Sequence, residues 1–448
     1  MLKKFLLYFF LYILTGGIVF SVFFLTPTEK TDFPVIRLII IFFATTLLIK
    51  YFIYMVISPW HDVAIAFSRY RRAKKSAGDR YEPPVSVLVP ARNEEAGVVT
   101  TLKSLLESSY KNFEIIVIDS ASTDNTGEKI LSFIGQYNKS RPPGLSKVAV
   151  SYLKEERPGK GRALNKGIAA ASGEIIISVD ADCFIAPETL ANFVSYFRNP
   201  RVMAAVGNVK IGNTQNILGV VQYLEFLFSF YFKKSDSILG SIYIIGGAAG
   251  AFRKEVFKKI GGYSLSNITE DIDLSVRIQY AGMKIVYAED AVVYTEGAAD
   301  FSGLIRQRLR WKSGRIETFL KHRHLFFSTQ EKHNKILTWF ILPLAIFGDV
   351  QLALELFFII FVYVYSYLTN DYSSFISGII VVSSMFAVQI IFDFHRKKWG
   401  RLVLLAPIGW LLLYISTFVE FQALIMAFRG YLRKEKTEWQ IWKRKGVF

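Results

Sequence analysis

The chain has 448 residues, 52% hydrophobic and 20% charged, with a mean hydropathy of +0.31. That is too apolar for an ordinary soluble protein and too charged for one lying wholly in a membrane, so a soluble domain joined to transmembrane segments fits both figures. A net charge of +17 raises nucleic-acid binding, but the cations crowd beside the apolar runs, at residues 69–75, 396–401 and 433–445. Positive charge on the cytoplasmic side of membrane spans accounts for that placement better, and no nucleic-acid partner is expected. One cysteine, Cys183, excludes an intrachain disulfide framework.

Residues 5–25, preceded by Lys3 and Lys4, are nearly all apolar and long enough to span a bilayer; residues 34–56 form a second span after a short polar loop. Lys/Arg bias places the N-terminus and the following domain in the cytoplasm. From about residue 82, apolar runs alternate with amphipathic stretches. Strands are expected at 85–90, 113–119, 148–153 and 174–179. Between them come a helix with Val98, Leu102, Leu105 and Leu106 on one face, a helix opened by a capping-box variant at Asn125 and Glu128, and a helix over 162–171. This βαβα order argues a doubly wound α/β sheet. Residues 220–232 read as a helix that is buried or touches the membrane surface, and the basic, amphipathic residues 304–320 as a helix lying at the membrane interface. Further spans are expected at 336–368 and 375–392, with 369–372 outside and 395–401 inside. The last apolar stretch, 402–428, is too short for two spans, and a single one would carry the basic tail outside; Pro407 and Gly409 divide it into a re-entrant piece and a helix. The expected domains are thus 1–60 (two spans), 61–300 (α/β domain), 301–335 (interface helix), 336–430 (C-terminal membrane region) and 431–448 (basic tail). The whole reads as a multi-pass plasma-membrane protein with its α/β domain in the cytoplasm.

Several stretches carry chemistry. Asp180 and Asp182 stand at the end of the 174–179 strand, the edge at which open α/β sheets bind ligands. Two hard oxygen donors so close together suit Mg²⁺ or Mn²⁺ held jointly with substrate phosphates. Lys160-Gly161-Arg162 is a glycine-flanked basic turn opening a helix, a natural phosphate site. Arg92 to Glu94 follows the first strand, and Asp119 ends the second. Gly246 to Gly250 is a strip of small residues where backbone could approach a ligand. Thr269-Glu270-Asp271 opens a helix, and Gln307, Arg310 and Trp311 share a helical face at i, i+3 and i+4. Singly, each also reads as a turn residue, a cap, a solvated charge or an interfacial anchor; the ordered set points to one site.

That set resembles the membrane-embedded processive synthases of glycosyltransferase family 2, the group of cellulose, chitin, hyaluronan and poly-N-acetylglucosamine synthases. The motif likeness covers about residues 84–315, and the layout is most similar to bacterial poly-N-acetylglucosamine synthases. The resemblance implies a GT-A (Rossmann-like) α/β domain inserted between N-terminal and C-terminal membrane helices. It also implies an inverting, processive β-glycosyltransferase that polymerises units from a UDP-sugar, UDP-N-acetylglucosamine first among the donors. It assigns Arg92, Glu94, Asp119, Lys160 and Asp180 to the nucleotide, and Asp180 and Asp182 to the metal. Asp271 becomes the general base, Gln307 and Arg310 contacts to the diphosphate, and Trp311 a platform under the acceptor sugar, with Glu270 and Gly250 beside that acceptor. Implied partners are the UDP-sugar, a growing glycan or lipid acceptor, membrane lipids, and an accessory membrane or export subunit. Two stretches depart from the pattern: Asp119-Ser120-Ala121-Ser122 where many relatives carry Asp-Gly-Ser, and Lys312-Ser313-Gly314 where poly-N-acetylglucosamine synthases usually show Ala-Gln-Gly. Rival readings are single-sugar transfer to a lipid and a catalytically silent scaffold of an export complex; the intact acidic motifs count against the scaffold.

Overall fold

The computed structural model describes residues 35, 51, 53–67, 81–139, 148–393 and 400–435. The first expected span, most of the second, and the basic residues 69–75, 395–399 and 436–448 lie outside the described residues. A helix, α1 (Ile53–Phe67), precedes the α/β domain.

The domain begins with a parallel half-sheet: β1 (Val85–Ala91), β2 (Phe113–Ser120), β3 (Ala149–Glu155) and β4 (Ile175–Val179). Every residue of β1 is buried, because helices cover both faces. Side chains alternate across a strand, so Val85, Val87 and Val89 meet Leu102 and Leu105 of α2 (Val98–Leu106) and Ile130 of α3 (Thr126–Lys139). On the other face Leu88, Ile116 and Ile118 pack against Ala163 and Leu164 of α4 (Lys160–Ala170). Two details differ from expectation. The start of α3 is bonded by the Asp124 carboxylate, which accepts from Thr126 N–H at 3.0 Å, and α4 begins at Lys160 rather than 162.

The remaining strands are β5 (Cys183–Ile185), β6 (Val202–Ile211), β7 (Ala249–Arg253) and β8 (Lys284–Thr295), completing a sheet of order β3-β2-β1-β4-β7-β6-β8-β5. The doubly wound expectation holds for the parallel half only. β7 runs antiparallel to both β4 and β6, and β5 antiparallel to β8. The reversal matters for function. Val179 pairs with Ala249, so the turn leading into β7 lies beside the end of β4, where Asp180 begins.

Around the second half run α5 (Thr189–Tyr196), α6 (Ile217–Leu239), α7 (Lys254–Ile260), α8 (Glu270–Tyr280) and α9 (Phe301–Lys321). Then come α10 (Leu342–Thr369), α11 (Ser373–Phe392) and α12 (Gly409–Leu432). α6 is capped by Asn216, whose side chain accepts from Gly219 N–H, and stops at Gly240 with φ 66°. Its Tyr223, Leu224 and Leu227 pack between Ile211 of the sheet and Phe386 of α11, so it is buried between the domain and an apolar helix. Two helical segments, Leu337–Thr369 (33 residues) and Leu402–Leu432 (31 residues), are long and apolar enough to cross a membrane. Within the second, the backbone changes at Gly409 from a 3-10 stretch containing Pro407 to the regular α12.

Candidate active site

The ends of β1, β2 and β4 converge at one edge of the sheet. At β2 the Asp119 carboxylate is buried, accepting from Ser122 N–H and from Tyr152 O–H, each at 3.0 Å. The loop after β1 is clasped to the loop after β2: Asn93 N–H donates to Ser122 Oγ at 3.1 Å, Glu94 N–H to Thr126 Oγ1 at 2.8 Å, and Asn93 Oδ1 accepts from Thr123 N–H at 2.8 Å. Beside them Arg92 Nε is buried without a hydrogen-bond partner among the described residues. Ser120 holds the start of α4, donating to Gly159 O at 3.3 Å and accepting from Gly159 N–H at 3.0 Å. So Ser120 and Ser122, within the stretch that departs from the pattern, each have a structural task.

Lys160 opens α4, and its Nζ lies 2.5 Å from Asp180 Oδ1. Burial pushes the Lys160 ammonium down, but Asp180, Glu270 and Asp271 outweigh it and hold the group above the ordinary lysine range. Asp182 is buried, with Thr295 Oγ1 3.4 Å from its Oδ2. Asp180 and Asp182 offer carboxylate oxygens at the mouth of a cavity, the donor set a hard divalent cation takes. A second cluster, His61, Asp62 and Glu289, brings its ligand atoms within 4.8 Å of one another. There the Lys234 ammonium bonds Asp62 at 2.9 Å and Glu289 at 2.6 Å.

Asp271 stands in the first turn of α8. Its Oδ2 accepts from Gly247 N–H and its Oδ1 from Ile272 N–H, both at 2.9 Å. Burial pushes the neighbouring Glu270 carboxyl up to about 7, with Lys160 pulling it down and Asp271 adding to the rise. α9 lies close to this turn because position 314 is glycine: a Cβ there would sit 2.2 Å from Thr269 Oγ1. Gln307 is buried, and its Oε1 accepts no hydrogen bond among the described residues.

The basic helix α9 is tied into the fold by ion pairs. Three of its cations turn inward to carboxylates. Arg308 pairs with Glu225 at 2.5 Å and Glu420 at 3.0 Å, Lys312 with Glu420 at 2.8 Å and Asp349 at 3.2 Å, and Arg315 with Asp349. Asp349 lies on α10 and Glu420 on α12, so these charges join α9 to the two apolar helices. The Arg308 guanidinium also lies over the Trp311 ring, 4.3 Å from its centroid.

One cavity of about 420 Å³ gathers Lys160, Asp180, Asp182, Glu270, Asp271, Gln307, Arg310 and Trp311. Arg92, Glu94 and Asp119 stand outside its lining; the Ser120–Gly159–Lys160 link joins the end of β2 to it, and Gly97, in the loop after β1, packs against Ala181 and Asp182. Gly250 is not among its lining residues: it lies within β7, paired with Ser178 and Val206, and the small residues that line the cavity are Gly246, Gly247 and Ala248. Sequence reasoning missed the α6 wall. Glu225, Ser229 and Lys233 recur every fourth residue along a largely apolar stretch of the helix, a polar stripe that could have been read.

A half-parallel, half-mixed sheet with a dicarboxylate at the central strand end, a helix-borne acid and a cation-rich cavity defines a GT-A glycosyltransferase. The same fold occurs in a mannosyltransferase from Pyrobaculum calidifontis solved with GDP-Man and Mn²⁺, with a TM-score of 0.51, 22% identity, and coverage of 86% of this chain and 99% of that one. The Glycosyl transferase family 2 model matches residues 86–261, and the Glycosyl transferase family group 2 model residues 175–430. The chain belongs to glycosyl transferase family group 2 and is an enzyme, a glycosyltransferase. It is 28% identical over 372 residues to the poly-β-1,6-N-acetyl-D-glucosamine synthase of Staphylococcus epidermidis, covering 80% of this chain and 86% of that protein. It is 29% identical over 304 residues to a β-monoglucosyldiacylglycerol synthase of Nostoc sp., covering 66% of this chain and 63% of that protein. With its two long apolar helices it is a membrane protein.

Proposed function

We propose that this enzyme polymerises a sugar from a UDP-sugar, UDP-N-acetylglucosamine foremost, into a β-linked polysaccharide at the plasma membrane. The observation that carries the reading is the single cavity, which runs from Asp180 and Asp182 past Asp271 to Trp311 and to Glu420 of α12. A donor bound at the sheet edge and an acceptor at the apolar helices would meet at Asp271.

The nucleoside belongs with Asp119 and the Arg92–Glu94 turn, where the buried, unpartnered Arg92 Nε awaits an acceptor. Asp180 and Asp182 would hold Mg²⁺ or Mn²⁺, which when bound neutralises charge growing on the leaving diphosphate. Gln307, Arg310 and Lys160 supply further donors to that charge. Asp271 takes the proton from the attacking acceptor hydroxyl as its oxygen bonds to the anomeric carbon and the bond to the diphosphate breaks. Direct displacement of this kind inverts an α-linked donor to a β-linkage. Trp311, with Arg308 over one face, offers the remaining indole face to the apolar side of the terminal sugar. The proposed topology keeps residues 61–300 cytoplasmic, where UDP-sugars are made, with membrane segments on both sides in sequence.

Incubating membranes with radiolabelled UDP-sugars tests donor and metal together. Incorporation from UDP-N-acetylglucosamine that stops on EDTA and returns with Mg²⁺ or Mn²⁺ is the expected outcome; full activity in EDTA contradicts the metal role. A second reading, one sugar added to a lipid, is favoured by the cavity's contact with α12 and by the lipid-glycosylating relative.

A further inference from the structure

How the Asp271 carboxylate is aimed depends on a segment with no helix or strand of its own. Its Oδ2 accepts from Gly247 N–H, and residues 241–248, which contain Gly247, form an irregular lead-in to β7. Adjacent glycines Gly246 and Gly247 make this lead-in costly to order, since glycine loses the most backbone freedom. Lys160 Nζ lies close to one side of it, 2.5 Å from where a Cβ on Gly247 would sit, while a Cβ on Gly246 would meet nothing within 4 Å. α8 holds it from one side, Gln279 Nε2 donating to Ile242 O at 2.6 Å and Ser275 Oγ accepting from Ile245 N–H at 2.9 Å. From the other side, Lys233 Nζ of α6 donates to Ile244 O at 3.1 Å.

Lys233 is an expensive choice for that contact. It sits in the wall of the cavity with the Phe230 ring 5.5 Å from its Nζ, and burial pushes its ammonium down. Two carboxylates, Asp236 and Asp271, act on it electrostatically. A packing role alone is met at lower cost by a neutral chain such as methionine, which removes no charge from water.

We propose that Lys233 is a positioning residue for glycosyl transfer: by tying Ile244 to α6 it fixes the Gly246-Gly247 turn that aims Asp271, and it sets a positive charge in the same cavity wall. This rests on Asp271 as the base. The test compares Lys233→Met, Lys233→Arg and Asp271→Asn in the full chain in membranes, reading kcat per folded enzyme, donor KM and UDP affinity. Misaiming a catalytic group by about 1 Å costs roughly 10²-fold, so Lys233→Met should lose about that factor in kcat with donor KM and UDP affinity held. Lys233→Arg, which restores charge and donor, should recover most of it. A folded Lys233→Met enzyme with normal kcat overturns the proposal, as does a loss carried equally by donor KM. A dead Asp271→Asn beside a normal Lys233→Met removes this inference alone; a fully active Asp271→Asn removes the base assignment and this inference with it.

Discussion

At the scale of single residues, the chemistry was written in short motifs because strand ends are punctuated. Asp180 and Asp182 follow an Ile/Val-rich run, and Asp271 follows a Thr-Glu pair at a helix start, so both were legible. The burial that raises the Glu270 carboxyl and the lysine in the α6 wall were not, since each depends on residues remote in the chain. The departure at Ala121 gains a physical meaning from its backbone. Ala121 has φ 52°, the left-handed region that favours glycine. A non-glycine residue there costs roughly 1–2 kcal/mol, partly offset by the chain entropy alanine saves in the unfolded state. Ala121→Gly should therefore raise stability by about 0.5–1 kcal/mol, visible as a higher Tm in detergent with nucleotide affinity kept. A lower Tm would show that the turn is not strained.

At the scale of elements, the coupling of α8 to α9 sets the site. Asp273 is fully buried on α8, and its carboxylate takes Arg277 Nε at 2.8 Å, Lys321 Nζ at 2.7 Å and His322 Nε2 at 3.0 Å. Although burial pushes this carboxyl up, those bonds and charges hold it well below the usual carboxylate range. Asn267 adds a bond from its Nδ2 to Thr318 Oγ1 at 2.8 Å, and the missing Cβ at Gly314 lets the two helices close. Breaking a buried charge cluster from one side costs about 3 kcal/mol, so Asp273→Asn should lower Tm by several degrees at neutral pH. A depressed carboxyl gives its full contribution above the unfolded value of about 3.9 and loses it as pH falls through the folded value. The gap between wild type and Asp273→Asn should therefore narrow in strong acid. An unchanged Tm at neutral pH would remove the cluster from the account of how α9 is held. None of this was legible from the α9 sequence, whose basic, amphipathic pattern reads as a helix at the membrane interface. Their partners Glu225, Asp349 and Glu420 lie on three other helices.

At the scale of the molecule, the parallel half-sheet and the long apolar helices followed from period and length, which are local properties. The mixed half did not, because β5 to β8 find their partners across the sheet: β4 pairs with β7 and β6 with β8. That non-local pairing brings the Gly246-Gly247 turn to the dicarboxylate. The ion pairs of α9 with α10 and α12 then hold the helix that carries Trp311 against the apolar helices, and in the proposed reading an extending chain is held there between additions. The account stands or falls on product size. Purified enzyme in lipid vesicles, supplied with UDP-N-acetylglucosamine and Mg²⁺ or Mn²⁺, should yield long polysaccharide, shortened sharply in a well-folded Trp311→Ala variant that still binds UDP. A product carrying one sugar on a lipid, from wild type and variant alike, would contradict it.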